Sequence, residues 1–401
     1  MRMRLPMPRR TGAKRGAAVR AVISLLAAAM LSGCWDRTEI NDLAIITAAG
    51  IDLTKDGRIK LSVQLFVPTP PSSGQATETT SPSGSNKTIV RYATGYDMAD
   101  ATAHLQETLS RKIFWGQADV FIFGEKLVKR SIKEPMDFLT RHPHPRERAN
   151  LFVSAGDAEE VLRWNSPIER NSAESLREMA VLQTGLNTSI LQAIEELSEE
   201  AHTTVIPIVR ILHRKRGDVP FIGGTVAIKN LRQAATLDSI DTRGLLWLRN
   251  EIKTATLTAP AYPGGGFASA YVISARTKLV PSIKDGKWSM TVVVDATSNL
   301  NENASSLDIS QESNVKQLQH IFEGVIQSRI DDMVTKAQRS RVDFLGFAEQ
   351  YHRHYPKQWR AAKKNWDTRF PKIEVRYNIR LTIARNGLTG KNTTLQSEDP
   401  S

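Results

Sequence analysis

Twice in this chain apolar and polar residues alternate without a break, and that period decides what the two segments can become. Ile59, Leu61, Val63, Leu65 and Val67 share one face, with Lys60, Ser62 and Gln64 opposite. Near the end Ile373, Val375, Tyr377, Ile379, Leu381 and Ile383 repeat the pattern. Side chains of a strand point alternately to its two faces, so each segment predicts a strand with one face on a core and one in water. A half-wet strand of this kind belongs to an antiparallel sheet covered on one side by helices.

The intervening sequence supplies both. Asp56-Gly57 predicts a hairpin joining 43–53 to 58–67, and Asp285-Gly286 a second joining 269–280 to 287–298. Short strands are expected within 117–127 and 149–156, and extended structure at 88–92, 223–230 and 245–252. Apolar residues fall at helical spacing in 97–112, 132–140, 158–164, 172–181, 187–200 and 315–336; in the last, Leu318, Ile321, Val325, Ile330 and Met333 form the stripe. Residues 68–87 are Pro, Gly, Ser and Thr-rich and predict a flexible loop. The fold class expected is α+β: a multi-domain mixed α/β protein with antiparallel-rich sheets backed by helices. A basic, Gly- and Pro-containing stretch at 213–220 suits a solvated connection, with anionic lipid as the other reading. The domains expected are 34–210 and 223–390, joined by a linker at 211–222.

The first 33 residues have a layout of their own. Seven basic residues and no acid precede or flank an apolar run at 21–31, and small residues follow. An eleven-residue helix covers roughly 16 Å against ~30 Å of bilayer hydrocarbon, so the run reads as a secretory signal and not as a span. Arg9-Arg10 lies too far from the run to support twin-arginine export. Leu31-Ser32-Gly33-Cys34 resembles the bacterial lipobox, and Cys34 is the single cysteine of the 401 residues. The resemblance implies that the Cys34 thiol receives a diacylglycerol and becomes the first residue after cleavage at 1–33. Two acyl chains anchor stably where one binds marginally. The nine residues from Cys34 to Leu43 reach about 30 Å at most, which would hold the folded body beside the bilayer.

Charge and cysteine content exclude several classes. The formal net charge of +12 falls to +5 without residues 1–33, leaving 47 basic against 42 acidic residues, so nucleic-acid binding is not expected. One cysteine permits neither an internal disulfide framework nor a multi-cysteine zinc site. There is no phosphate-loop signature, no GxSxG elbow, and Gly264-Gly265-Gly266 lacks dinucleotide spacing. His142 and His144 form an HxH among three arginines, and a local positive field opposes a divalent cation, so a surface turn is the expectation over a metal site. His352 and His354 sit in a basic, aromatic stretch that can bind anionic headgroups, or pack through Tyr351, Trp359 and Trp366 while Lys363 and Lys364 face water. The expectation is no enzyme, no metal and no cofactor. A lipid-anchored cell-envelope enzyme built on these histidines is the alternative from a different class, and a substrate-binding lipoprotein of a transporter a third.

Several blocks together resemble a known family. "GCWDRTEINDLAIITAAGIDL" at 33–53, "SRKIFWGQADVFIFGEKL" at 110–127 and "DFLTRHPHPRERANLFVSAG" at 137–156 are similar to the Ger(x)C spore-germination lipoproteins, the C subunits of GerA-type germinant receptors. "RVDFLGFAEQYHRHYPKQW" and "NWDTRFPKIEVRYNIRLTIARNG" resemble that family's closing block, with Asp343, Phe344, Gly346, Asn365, Trp366 and Asp367. Where the family pattern reads Gly-x-Gly-Ile-Asp this chain has Ala48-Ala49-Gly50-Ile51-Asp52, and its 68–87 insert is long. The resemblance implies mixed α/β domains and a lipoprotein on the outer face of the inner spore membrane. It implies two polytopic membrane partners, of A and B type, and no established catalysis, and leaves direct binding of a small-molecule germinant open. Cys34 is the one residue to which it assigns a role.

Overall fold

The first alternating segment folds as its spacing requires on one face and departs from it on the other. In the computed structural model, which describes residues 39–67, 88–142, 145–182, 185–215, 217–261 and 265–385, β1 (Leu43–Leu53) and β2 (Ile59–Phe66) form an antiparallel hairpin. Leu53 faces Ile59 and Ile51 faces Leu61, around a turn in which Gly57 takes φ +83°. Ile59, Leu61, Val63 and Leu65 are buried, and so are Ser62 and Gln64 on the side expected in water. That side lies under helices: Gln64 Nε2 donates to the Leu162 carbonyl (3.0 Å) and the Ser172 hydroxyl (2.9 Å).

The reason is the sheet's centre. β5 (Val120–Phe123), β6 (Asn150–Ser154) and β7 (Thr203–Leu212) run parallel with β1; with β3 (Thr88–Gly95), β8 (Val219–Lys229) and β9 (Arg232–Leu237) the sheet order is β3-β2-β1-β5-β6-β7-β8-β9, and the short β4 (Lys112–Phe114) lies beside β1. Parallel strands need crossovers, and the crossing helices cover both faces. Phe121 and Phe123 face a layer with α1 (Met98–Glu107) and α3 (Lys133–Arg141), while Val120 and Ile122 face α4 (Ala158–Arg163) and α5 (Ser172–Val181). α2 (Glu125–Arg130) and α6 (Ile190–Ser198) complete the crossovers. The outer strands β3, β8 and β9 are antiparallel to their neighbours. Residues 211–222, expected between domains, hold the ends of β7 and β8, with Leu212 opposite Val219.

Within 245–252, expected to be extended, residues 245–248 instead complete a helix, α7 (Ser239–Leu248), and 249–252 leave it in a turn. Asp238 accepts from the Ile240 and Asp241 amides (2.8 and 2.9 Å) and Asp241 accepts from the Asp238 amide (3.0 Å), a reciprocal cap that starts the helix. Leu245, Leu246, Trp247 and Leu248 are all buried, because the last turn of α7 is covered on every side while its start, with Ile240 and Arg243, is exposed. A helix buried all round loses its amphipathic period and reads like a buried strand.

The second sheet has the order β10 (Ala255–Pro260), β11 (Phe267–Lys284), β12 (Lys287–Asn303), β13 (Glu374–Arg385). β11 and β12 make the expected hairpin, with Asp285 and Gly286 both at positive φ. β13 shows the alternation in full, with Leu381 and Ile383 buried and the residues between them exposed. It nevertheless pairs with β12 in parallel, not antiparallel as the wet face suggested. The long helix α8 (Glu312–Ser340) returns the chain to the same end, which dictates the parallel pairing. Phe322, Ile326, Ile330 and Met333 of α8 pack with Met290, Val292 and Val294 of β12. α9 (Phe347–His354), α10 (Pro356–Ala362) and α11 (Trp366–Arg369) precede β13. Two sheets backed by helices make this a mixed α/β fold, in agreement with the expected class. Val205, Ala227 and Leu237 of the first sheet share one apolar cluster with Trp247, Met290, Phe322 and Leu381, and the described residues from Ala44 onward form a single compact unit. Among the described residues no helix is long and apolar enough to cross a membrane.

Candidate functional site

Cys34 and His144 lie outside the described residues. Of the other three histidines singled out from the sequence, His142 and His354 are held by local contacts and His352 reaches Glu200. The His142 ring lies 5.1 Å from Phe138 and 6.4 Å from Trp115, at the end of α3. His352 Nδ1 stands 3.4 Å from Glu200 Oε1, and His354 Nδ1 bonds the Gln350 carbonyl at 2.9 Å. Among the described residues no three His, Cys, Asp or Glu side chains group closely enough to hold a metal ion. The aromatics beside the second pair pack: Tyr351, Trp359 and Trp366 are buried while Lys363 and Lys364 are exposed.

What the fold does bring together is the closing block, against the first sheet. Asp343 is 2% exposed and its carboxylate accepts from four N–H groups. They are Ala348 N (2.7 Å), Trp366 Nε1 (3.0 Å), Phe347 N (3.1 Å) and Leu345 N (3.3 Å). Two of these donors, Phe347 and Ala348, open α9, where orphan amides need an acceptor, and Gly346 at φ +82° supplies the bend between them and Leu345. Burial pushes the Asp343 carboxyl above the ordinary range, and the four donors oppose the shift. Trp366, fixed through its indole N–H, meets Trp359 at 4.8 Å and Tyr351 at 5.8 Å. Two contacts reach the first sheet from here. Thr203 Oγ1 of β7 donates to the Asp343 carbonyl (2.7 Å), and Lys229 of β8 pairs with Asp367 (2.5 Å).

A second cluster lies along the same seam. The buried Arg249 guanidinium pairs with Glu196 of α6 and, at 2.9 Å, with Glu251. Thr204 and Gln192 also donate to Glu196, at 2.7 and 2.9 Å. Burial opposes the Arg249 charge, and the two carboxylates outweigh it, so Arg249 stays protonated well above its ordinary range. Burial raises Glu251 while Arg249 draws it back. A cavity of ≈530 Å³ opens beside this triad, lined also by Glu199, Leu345, Glu349 and Arg353.

A third buried carboxylate, Asp52, ends β1 inside the first sheet. It accepts from Ala158 N (2.8 Å) and Glu159 N (3.2 Å), the first amides of α4. Burial pushes it up to about 6 despite those bonds. Gly124 must lack a side chain here, because a β-carbon would collide with the Asp52 carboxylate. Ala48, in place of the family's first glycine, is fully buried against the α4–α5 layer, and β1 continues through it undisturbed.

All three clusters bind helix ends and strand ends to one another. A general base needs a path to the proton it takes, and at 2–3% exposure Asp343 and Asp52 are enclosed by their own backbone donors. Sequence reading picked the histidines and missed Asp52, Glu196, Arg249 and Glu251. Asp52 carried a weak signal, a carboxylate closing an apolar strand. Glu196 and Arg249, 53 residues apart, carried none.

Comparisons with known proteins agree with this architecture over most of its length. Residues 36–211 match the family model described as spore germination protein N-terminal domain, and residues 223–387 the one described as spore germination B3/GerAC like, C-terminal. YfkR of Bacillus subtilis (strain 168) is 26% identical over 93% of this chain and 97% of its own. The spore germination protein KC of the same strain is 25% identical over 94% of this chain and 98% of its own. The crystal structure of the GerBC protein shares the fold, with a TM-score of 0.57 at 20% identity, covering 84% of this chain and 97% of that one. The chain belongs to the Ger(x)C, or GerAC-like, family of spore germination proteins.

Proposed function

We propose that this chain is a lipid-anchored, non-catalytic subunit of a spore germinant receptor, working beside two polytopic membrane subunits. The observation that carries the reading is positional. The two family matches run in order over 36–211 and 223–387, and Cys34 stands two residues before the first. In this reading Cys34 is acylated after removal of 1–33, and a tether of about 30 Å holds the body against the outer face of the inner spore membrane. The parts 34–210 and 223–390 act as one rigid piece, and their task is to assemble or stabilise the membrane subunits; a small-molecule germinant is a further ligand the reading accommodates. The carboxylate clusters support it by serving geometry. Relatives such as the spore germination protein B3 carry the same kind of name.

The test replaces Cys34→Ala in the producing spore former. The expected result is loss of the protein from the spore inner-membrane fraction and a marked slowing of nutrient-triggered germination. Tagged wild-type protein should co-purify two polytopic proteins from solubilised membranes. Unchanged membrane association and unchanged germination in the variant would overturn the reading.

A further inference from the structure

Helices α7 and α8 approach unusually closely at Gly244, where a β-carbon would collide with the Arg329 carbonyl and lie 3.0 Å from Met333 Cβ. This contact sets Arg243, next to the glycine, beside Arg329 on the facing helix. The two guanidiniums share the wall of a cleft of ≈260 Å³, together with Trp247, Lys253 and Tyr271. The one carboxylate on the wall is Glu251, already bonded by Arg249 Nε at 2.9 Å. Arg329 is partly buried, and burial and the positive charge of Arg243 together hold it below its ordinary range. Trp247 is fully buried, and its Nε1 has no acceptor among the described residues.

Two like charges brought together at one cleft are unfavourable by themselves, and an anion between them reverses the sign. We propose that this cleft binds a compact oxyanion of the phosphate-monoester class, with Arg243 and Arg329 as its paired charges. Planar guanidiniums offer forked donors that match phosphate oxygens. Three cationic side chains suit a dianion better than a single carboxylate. The volume lies just below the ~300–1,000 Å³ of typical small-molecule sites, so it suits a headgroup-sized ligand. The chemistry is common to a soluble phosphate monoester and to the headgroup of phosphatidic acid.

The test uses the full chain carrying Cys34→Ala, so that acylation contributes nothing to vesicle binding. Thermal midpoints are titrated with inorganic phosphate and with glycerol phosphate against chloride at matched ionic strength. In a parallel arm the protein is sedimented with vesicles of phosphatidylcholine, with or without phosphatidic acid. Saturable stabilisation by phosphate, weakened at least tenfold by Arg329→Met and by Arg243→Met and kept by Arg141→Met on α3, supports a soluble ligand. Sedimentation that requires phosphatidic acid and fails in the same two variants supports the headgroup. Arg243 is exposed, so its variant reports even if Arg329→Met folds poorly. Absence of both effects in the parent protein, or their persistence in both variants, overturns the proposal.

Discussion

Replacing Asp343 by alanine tests whether the closing block is held by one carboxylate. The substitution leaves the amides of Phe347 and Ala348 and the indole N–H of Trp366 enclosed without an acceptor. A hydrogen bond to a charged acceptor contributes roughly 1.5–3 kcal/mol, and three good ones are lost. Removing the carboxylate also removes the cost of burying it, which offsets part of that sum. The expected net loss is about 3–5 kcal/mol, a large share of the ~5–15 kcal/mol that holds a typical domain. Asp343→Asn keeps one oxygen acceptor and turns the other atom into a donor, so it should cost about half as much. Urea unfolding followed by tryptophan fluorescence reads both, since Trp366 sits on the bond in question. A loss under about 1 kcal/mol for Asp343→Ala, at unchanged denaturant slope, would refute the claim that this carboxylate fixes α9 and Trp366 against the first sheet.

Two further outcomes follow from the buried charges. Asp52 titrates near 6 when folded against an ordinary 3.8, so the native state keeps a proton the unfolded chain has released; stability should fall as pH rises from about 4 to 6, by on the order of 3 kcal/mol, and Asp52→Asn should flatten that slope. Parallel stability profiles for the two proteins across that window would remove burial as the cause. Arg249→Met strands Glu196 and Glu251 without their cation and should cost about 3–5 kcal/mol at pH 7, easing in acid as Glu251, already raised by burial, protonates; a penalty independent of pH in chemical denaturation would show that the triad is not what the substitution disturbs.

The parts of the fold legible in the sequence were those whose signal is local. The hairpin at Asp56-Gly57, the alternation from Ile373 to Ile383 and the stripe on α8 each depend on residues a few positions apart. What escaped depends on partners far along the chain. Ser62 and Gln64 look like a wet face, and are covered because crossover helices pack on both sides of a parallel centre. Leu245 to Leu248 look like a strand because the last turn of α7 is buried all round. β13 looks antiparallel, and α8 decides otherwise. At the candidate site the order was reversed. The histidines stand out in the sequence yet build no shared site, whereas Glu196 and Arg249 are unremarked acids and bases until the two sheets meet.

A hinge needs a plane across which little has to be unpacked. Val205, Ala227 and Leu237 interlock with Trp247, Phe322 and Leu381 in one continuous interior, and α7 is wedged through it. Among the described residues the two sheets share that interior without a plane of weak packing between them. A pull exerted on one face is shared by the whole, and any motion that neighbours impose is the turning of a single block.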